Sequence, residues 1–271
     1  MASSSDSAFT GSVPQSYERY MVPLIFEPYA VDLAKRVAQA APKRVLELAA
    51  GTGVVTRNLA VMLDASAGIV ATDLNPAMID EAQRTGTARP VEWRAADAMQ
   101  LPFENGSFDA VVCQFGVMFF PDKAKAYAEA RRVLRPGGLF AFNAWCAIDR
   151  NEFADAVTDA LATVFPDDPP RFMARTPHGY HDAAVIAQDL EAGGFTSPPR
   201  IEKLAFTSRA VGPHIPAIAY CHGTLLRTEI LARDPDGLEH ATQACTEEVA
   251  RRFGEGAVES RIEALVVTVR A

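Results

Sequence analysis

The sequence predicts an α/β fold in which helices cover both faces of a largely parallel sheet. From residue 43 to 145, apolar stretches typical of buried strands alternate with stretches of helical periodicity. The strand-like stretches are RVLELA, GIVATD, VEWRAAD, FDAVVCQF and LFAFNAW, and helical spacing occurs in VVTRNLAVML, PAMIDEAQR and DKAKAYAEARRVL. Strands that alternate with helices favour parallel pairing, because parallel strands need a crossover connection.

Composition and charge limit the partners. The chain of 271 residues is 49% hydrophobic, which is ample for a core. Its formal net charge is −8, and the sequence contains no Lys/Arg-rich run. An acidic chain lacks the basic surface that nucleic acids require, so we expect no nucleic-acid partner. It also disfavours binding to an anionic membrane surface.

The N-terminus and the cysteines indicate a cytoplasmic protein. MASSSDSAFTGS has neither the basic start nor the apolar centre of a signal peptide, and no apolar run approaches the ~20 residues of a membrane helix. The four cysteines are scattered, so neither a zinc knuckle nor a redox pair is available. We therefore expect a cytoplasmic location, no membrane span and no metal.

The chain divides into four predicted regions. Residues 1–13 are small and polar and predict disorder, and residues 14–42 predict a helical lid interrupted at Pro23 and Pro28. Residues 43–147 form the core, and residues 148–271 complete the sheet. Within this last region we expect a Pro-rich loop over 166–181 and two cap helices, around a DPDG break, over about 209–258.

The turn AAGTG, which follows the first strand, predicts a ligand site. Ligands of open α/β sheets bind at the carboxyl ends of the strands, and Gly51 and Gly53 allow the backbone to meet a ligand closely. Asp73 ends the second strand, where a carboxylate can accept hydrogen bonds from a ribose diol. Asn75 fits the N-cap of the next helix better, which leaves Asp73 without an evident structural role.

The same turn is a poor phosphate cradle. It lacks GxxxxGK[ST], Ala49 replaces the first glycine of GxGxxG, and Glu47 would repel a pyrophosphate. A carboxylate at this place suits a cationic ligand. S-adenosylmethionine, with its ammonium and sulfonium groups, therefore fits better than a dinucleotide.

Four segments in register resemble class I S-adenosylmethionine-dependent methyltransferases, particularly the ubiquinone and menaquinone biosynthesis branch. They are VLELAAGTG, ATDLNPAMID, AADAMQLPFENGSFDAVVCQF and RRVLRPGGLFAF, and the resemblance covers about residues 40–145. It implies a Rossmann-like doubly wound sheet of seven strands, the last one antiparallel and inserted beside the fifth. It also implies S-adenosylmethionine as the cofactor.

The resemblance implies roles for matching residues. The methionine part of the cofactor would contact Glu47, Ala49, Gly51 and Gly53. Asp73 would hold the ribose, Leu74 and Met78 would flank the adenine, and Asp97 with Ala98 would meet its amino edge. Gln114 and Phe115 would border the sulfonium, and Tyr20 would cover the cofactor from the lid.

Other residues are candidates for the acceptor side. We expect catalytic roles for Tyr17, His178 and His181, as bases or hydrogen-bond donors, and acceptor contacts for Trp145, Tyr180 and His222. A structural role stays open for each of them, as anchoring, core packing or a solvated loop side chain. A cap over the strand ends favours a small, partly apolar acceptor over a macromolecule.

Methyl transfer to such an acceptor is the predicted reaction. A relative diverted to another reaction such as cyclisation, and a non-catalytic partner subunit, stay open as alternatives, because cofactor motifs indicate binding and not turnover. An NAD-dependent dehydrogenase is disfavoured by Glu47 and the missing third glycine. Homodimer formation also stays open.

Overall fold

The computed structural model describes residues 11–271, and its sheet has the predicted topology. The strand order is β3-β2-β1-β4-β5-β7-β6, and β7 is antiparallel to both of its neighbours. The strands are β1 (Arg44–Glu47), β2 (Gly68–Asp73), β3 (Glu92–Ala95), β4 (Phe108–Gln114), β5 (Leu134–Trp145), β6 (Arg200–Ala210) and β7 (Val258–Arg270).

The parallel half of the sheet brings the candidate site residues to one edge. Strands β1 and β4, which have helices on both faces, are almost entirely buried, as expected for apolar runs without alternation. Their register pairs Glu47 with Ala71 on one side and Val112 on the other, while Gln114 pairs with Asn143 of β5. The carboxyl ends of β1, β2, β4 and β5 therefore open on the same side.

Helices cover both faces of the sheet. They are α1 (Val13–Ser16), α2 (Glu27–Gln39), α3 (Val54–Met62), α4 (Pro76–Thr85), α5 (Lys123–Val133), α6 (Glu152–Val164), α7 (Phe172–Arg175), α8 (Ala183–Ala192), α9 (His214–Gly223), α10 (Leu226–Arg233) and α11 (Leu238–Phe253). Helix α8 ends at Gly193–Gly194, where Gly194 has a φ of +87° and the Phe195 amide donates to the Leu190 carbonyl.

The predicted helix breaks at Pro23 and Pro28 are wrong. The chain stays helical from Val13 to Gln39, with a π-helical segment at Tyr17–Phe26 between α1 and α2. Pro28 lies in the first turn of α2, and the Leu24 carbonyl four residues before it accepts a hydrogen bond from Ser208 Oγ at 2.7 Å, while Pro23 is exposed on the π-helical segment. We call residues 13–39 the lid. Of the segment 1–13 that was predicted to be disordered, residues 1–10 lie outside the described residues, residues 11 and 12 form a turn, and Val13 begins α1.

The cap between β6 and β7 contains three helices, α9, α10 and α11, where two were predicted. Thr224 separates α9 from α10 because its backbone is extended and its Oγ1 accepts a hydrogen bond from the Leu226 amide. The predicted Pro-rich loop likewise contains the short helix α7. Within residues 11–271, no helix is both long and apolar enough to cross a membrane.

Candidate functional site

A cavity opens at the carboxyl ends of the parallel strands, between the sheet edge, the lid and the cap. It holds about 1340 Å³ of empty space, including the solvent at its mouth. The turn after β1 and the ends of β2 and β4 form one wall. The lid, the end of β5, α7 and the cap helix α9 form the rest, so elements distant in sequence enclose one space.

The turn after β1 presents backbone to the cavity. Ala49 and Gly51 line it with φ values of +50° and +57°. A Cβ on Gly51 would meet only the end of the Met78 side chain, at 3.6 Å, so it would occupy cavity space. Left-handed residues in a ligand-facing turn are typical of functional sites, and alanine there carries strain that glycine avoids.

Asp73 organises this turn from the neighbouring strand. Its Oδ2 accepts a hydrogen bond from the Gly51 amide and its Oδ1 from the Asn75 amide, both at 2.8 Å. Asn75 stands at the N-cap of α4 without a side-chain capping bond. Asp73 thus has the structural role that the sequence did not reveal. Burial raises its pKa, although these amide donors oppose the shift.

Further predicted cofactor residues line the cavity beyond Asp73. They are Leu74, which is 55% exposed, and Met78, Asp97 and Ala98. The Oδ1 atom of Asp97 accepts a hydrogen bond from the Met99 amide at 2.8 Å, which fixes the orientation of the carboxylate.

The end of β4 contributes Gln114 and Phe115. The Oε1 atom of Gln114 has no partner within residues 11–271, and its Nε2 donates to the Phe26 carbonyl of the lid at 3.3 Å. Phe115 is buried with a φ of +52°. The following Gly116 packs so closely on Ala49 that an added Cβ would lie 2.5 Å from the Ala49 Cβ. The two strained turns therefore support each other.

Glu47 and Gly53 lie behind the turn and do not line the cavity. Glu47 is 1% exposed and accepts a hydrogen bond from Thr56 Oγ1 at 2.6 Å. Burial raises its pKa to about 8, and the Thr56 hydroxyl and the Arg57 charge only partly oppose this. Gly53, with a φ of +85°, faces Trp93 and Ala82, where a Cβ would crowd both. The direct cofactor contact expected of these two residues is thus not supported.

An aromatic chamber forms the other half of the cavity. Trp145, which ends β5, stacks on Phe115 with ring centroids 3.7 Å apart and planes 4° apart. Phe26 of the lid lies 5.6 Å from Phe115, and Tyr17 stacks on Phe26 at 5.0 Å. Other apolar side chains of the chamber are Met21, Ile25, Phe119, Phe120, Phe172 and Met173.

His178 lines the chamber as a neutral imidazole. It is 4% exposed, and its Nδ1 lies 2.9 Å from the Cys146 carbonyl, which can only accept a hydrogen bond. The proton is therefore on Nδ1, and Nε2 carries the lone pair. Burial lowers the pKa of His178 to about 4, although the bond to Cys146 opposes the shift.

Tyr180 and His181 are not in the cavity, contrary to the prediction. The Tyr180 hydroxyl donates to Asp189 at 2.7 Å and lies 3.3 Å from the Tyr127 hydroxyl, so it joins α8 to α5. His181 is exposed, and its Nδ1 lies 2.7 Å from the His178 carbonyl. The chain turns between His178 and Tyr180, so the side chains that follow His178 in the loop do not line the cavity.

Tyr20 and His222 were also predicted to belong to the site, but neither lines the cavity. Tyr20 points away from the cavity, with the Arg19 guanidinium over its ring at 5.1 Å. The His222 Nε2 pairs with Thr242 Oγ1 at 3.0 Å, which joins α9 to α11. Each lies close in sequence to a cavity residue but on another face of its helix.

Many cavity residues were missed by the sequence analysis, among them Tyr220 of α9, Asn151 before α6 and Phe172 of α7. No local motif marks them, because long-range packing alone brings their elements to the strand ends. Within the described part of the chain, no group of three or more His, Cys, Asp or Glu side chains is arranged to hold a metal ion.

Comparison with known proteins agrees with this geometry. Residues 46–142 match the family described as methyltransferase domain. The demethylmenaquinone methyltransferase of Thermus thermophilus is 47% identical over 114 residues, which cover 40% of this chain and 49% of that protein. The enzyme of the same name from Mycolicibacterium vanbaalenii is 33% identical over 162 residues, 56% of this chain and 68% of that protein. The chain thus spans about half the length of the first relative and about two thirds of the length of the second.

Solved structures share the fold. The YcgJ protein of Bacillus subtilis superposes with a TM-score of 0.58 at 17% identity, covering 90% of this chain and 98% of that one. Phosphoethanolamine N-methyltransferase 2 of Haemonchus contortus superposes with a TM-score of 0.57 at 15% identity, covering 94% of this chain and 56% of that one. The fold and the site define a Rossmann-like cofactor-binding protein. The chain belongs to the class I S-adenosylmethionine-dependent methyltransferases, in the branch that contains the menaquinone enzymes.

Proposed function

We propose that the protein transfers a methyl group from S-adenosylmethionine to a small, planar, mostly apolar acceptor. The observation that carries the proposal is one continuous cavity with a polar half at the strand ends and an aromatic half under the lid and cap. The two halves are lined by different kinds of side chain, which suits two ligands, a polar cofactor and an apolar acceptor.

The polar half of the cavity contains hydrogen-bonding groups that suit the cofactor. Asp73 and Asp97 supply carboxylates for the ribose hydroxyls and the adenine amino edge, while Leu74 and Met78 flank the base. Gly51 leaves space for the methionine part. Glu47 acts from behind the turn, where a bound cation would favour its ionised form.

When bound, the cofactor supplies an activated methyl group on a sulfonium. The protein's residues align the acceptor and exclude water, and such alignment can contribute roughly 7–11 kcal/mol to lowering the barrier. Gln114 and Phe115 line the cavity at the end of β4, and Phe26 of the lid packs against both. Tyr17 of the lid also lines the cavity. Burial raises its pKa, so it acts as a neutral hydrogen-bonding group.

His178 is the proposed proton acceptor of the reaction. Its Nε2 carries a lone pair above pH 4, and its orientation is fixed by the bond from Nδ1 to the Cys146 carbonyl. An acceptor that enters protonated would lose its proton to this nitrogen as the methyl group is transferred. His181, exposed outside the cavity, no longer qualifies.

The acceptor class follows from the chamber and the relatives together. A flat Trp145–Phe115 wall, with Phe26, Phe119 and Phe172 around it, fits a planar ring system. Two relatives are named as demethylmenaquinone methyltransferases, whose acceptor is a quinone-type ring. We propose a naphthohydroquinone-type acceptor for this chain as well. A cytoplasmic location fits the four free, buried cysteines.

The direct experiment measures S-adenosylhomocysteine by mass spectrometry. The purified protein is incubated anaerobically with S-adenosylmethionine and 1,4-dihydroxynaphthalene carrying a short prenyl chain. The proposal predicts equal amounts of S-adenosylhomocysteine and methylated ring. Cofactor binding by calorimetry without product from this or other planar acceptors would favour a reaction other than methylation. Failure to bind the cofactor at all would favour a non-catalytic subunit.

A further inference from the structure

Tyr220 of the cap helix α9 presents a hydroxyl without a protein partner to the cavity. The residue is 1% exposed and lines the chamber, and no hydrogen bond to its hydroxyl occurs within residues 11–271. The hydroxyl oxygen is not completely enclosed by protein atoms. The small surface that the residue keeps is therefore at its polar end. Burial raises its pKa with no charge or hydrogen bond opposing, so it stays a neutral donor.

The backbone around Tyr220 is fixed. Thr224 Oγ1 donates to the Tyr220 carbonyl at 2.6 Å, which closes the end of α9. Gly223 packs against the lid so closely that a Cβ would lie 3.1 Å from Met21 and 3.3 Å from the Tyr17 amide nitrogen. Tyr220 therefore lies on a part of the cap that is packed tightly against the lid.

Other polar side chains of this chamber already have partners. Asn151 donates from Nδ2 to the carbonyls of Cys146, Ala147 and Glu263, and its Oδ1 accepts from the Glu263 amide. Thr224 donates to Tyr220 and accepts from Leu226. Besides Gln114 Oε1 at the end of β4, the Tyr220 hydroxyl and the His178 Nε2 thus remain as one donor and one acceptor, on separate elements that line the same cavity.

We propose that Tyr220 determines acceptor specificity by donating a hydrogen bond to one oxygen of the acceptor while His178 accepts one from a hydroxyl on the same molecule. This inference rests on the proposed function and assigns to the cap a selecting role. A dihydroxy ring satisfies both groups, whereas a ring with a single hydroxyl satisfies only His178. The Tyr220 hydroxyl then pairs with nothing, which costs affinity.

Tyr220→Phe tests the proposal, because it removes one oxygen and keeps the ring. Binding of 1,4-dihydroxynaphthalene and of 1-naphthol is measured by calorimetry, anaerobically and with saturating S-adenosylhomocysteine. We expect the variant to raise the Kd of the diol roughly 5–10-fold, because one hydrogen bond is lost. The Kd of 1-naphthol should rise less than about 2-fold. In turnover, KM for the diol rises while kcat stays within about 2-fold.

Tyr127→Phe is the matched control. Its hydroxyl is buried on α5 against Tyr180, outside the cavity, so neither Kd should change. Equal weakening of both probes by Tyr220→Phe, or no weakening of the diol, overturns the inference, and so does a wild-type protein that binds neither probe. These results differ from failure of the proposed function, which would show as no S-adenosylhomocysteine from any planar acceptor.

Discussion

The indole of Trp145 lies flat on the ring of Phe115, with centroids 3.7 Å apart and planes 4° apart. The two residues end neighbouring parallel strands, and Phe115 reaches this position only with a left-handed backbone, at a φ of +52°. Such strain persists where the surroundings enforce it and is typical of ligand sites. The pair therefore builds a flat apolar wall of the chamber at the ends of β4 and β5.

Trp145→Leu should weaken acceptor binding selectively. The substitution keeps an apolar side chain but removes the flat ring, so we expect KM for the acceptor to rise roughly 5-fold or more. Cofactor Kd by calorimetry should stay within about 2-fold. Phe140→Leu, on the opposite face of the same strand, is the control and should affect stability only. If both variants raised KM equally, the flat ring of Trp145 would not be the feature that binds the acceptor.

Asp73→Ala should reduce affinity for S-adenosylmethionine at least tenfold, because charge-assisted hydrogen bonds contribute roughly 1.5–3 kcal/mol each. The variant also loses the acceptor of the Gly51 and Asn75 amides, so some stability is lost too. Asp122→Ala is the matched control, since Asp122 caps α5 through the Lys125 amide outside the cavity. Unchanged cofactor affinity in Asp73→Ala by calorimetry would refute the ribose assignment.

Gly51→Ala should impair cofactor binding more than folding. Its Cβ would point into the space for the methionine part, and its φ of +57° disfavours alanine. Gly137→Ala introduces comparable strain at a φ of +76°, at an exposed position near the start of β5 that does not line the cavity. We expect both variants to lose roughly 1 kcal/mol of stability by denaturant titration. Only Gly51→Ala should lose cofactor affinity, and a loss in both would point to indirect damage.

Glu47 should make the cofactor-free protein less stable as pH rises from about 4.5 to 8. Its pKa is raised to about 8 in the fold, so the folded state binds more protons than the unfolded state in this window. The free energy of unfolding then falls with pH. Glu47→Gln should flatten this part of the profile and stabilise the protein at pH 9, as measured by urea unfolding. An unchanged slope would show that Glu47 is ionised in the fold.

His178→Gln should lower kcat roughly 10²–10⁴-fold if the imidazole takes up the acceptor's proton. His222→Gln, which alters the cap pair with Thr242 outside the cavity, should change kcat less than about 3-fold. Because the pKa of His178 is lowered to about 4, the wild-type rate should not decline through this group between pH 8 and 6. A small effect of His178→Gln would mean that alignment and exclusion of water suffice.

The sequence predicted the polar half of the site much better than the chamber. Asp73 and Gln114 end strands β2 and β4, and Gly51 lies in the turn after β1, so a local pattern and the topology of a parallel sheet place them at one edge. Tyr220 and Phe172 enter the site through long-range packing of the cap and the 166–181 loop, which no local spacing encodes. Tyr20 and His222 were misassigned for the same reason, since the helix face they occupy depends on their packing partners.

The lid shows the other limit. Pro23 and Pro28 normally predict helix breaks, yet the π-helical register and the first turn of α2 accommodate them. Local propensity was overridden because the buried side chains Met21, Ile25 and Phe26 pack on the cavity. Only the tertiary structure reveals that continuous helix.

The most direct measurement of the central claim is a single turnover with S-adenosylmethionine labelled with ¹³C in the methyl group. Excess enzyme is mixed anaerobically with the prenylated 1,4-dihydroxynaphthalene, quenched and examined by mass spectrometry. The account predicts that the label appears in the ring compound in an amount equal to the S-adenosylhomocysteine formed, and that Asp73→Ala suppresses both at limiting cofactor. A cofactor that binds with its label unmoved, for the diol and other planar acceptors alike, would contradict it.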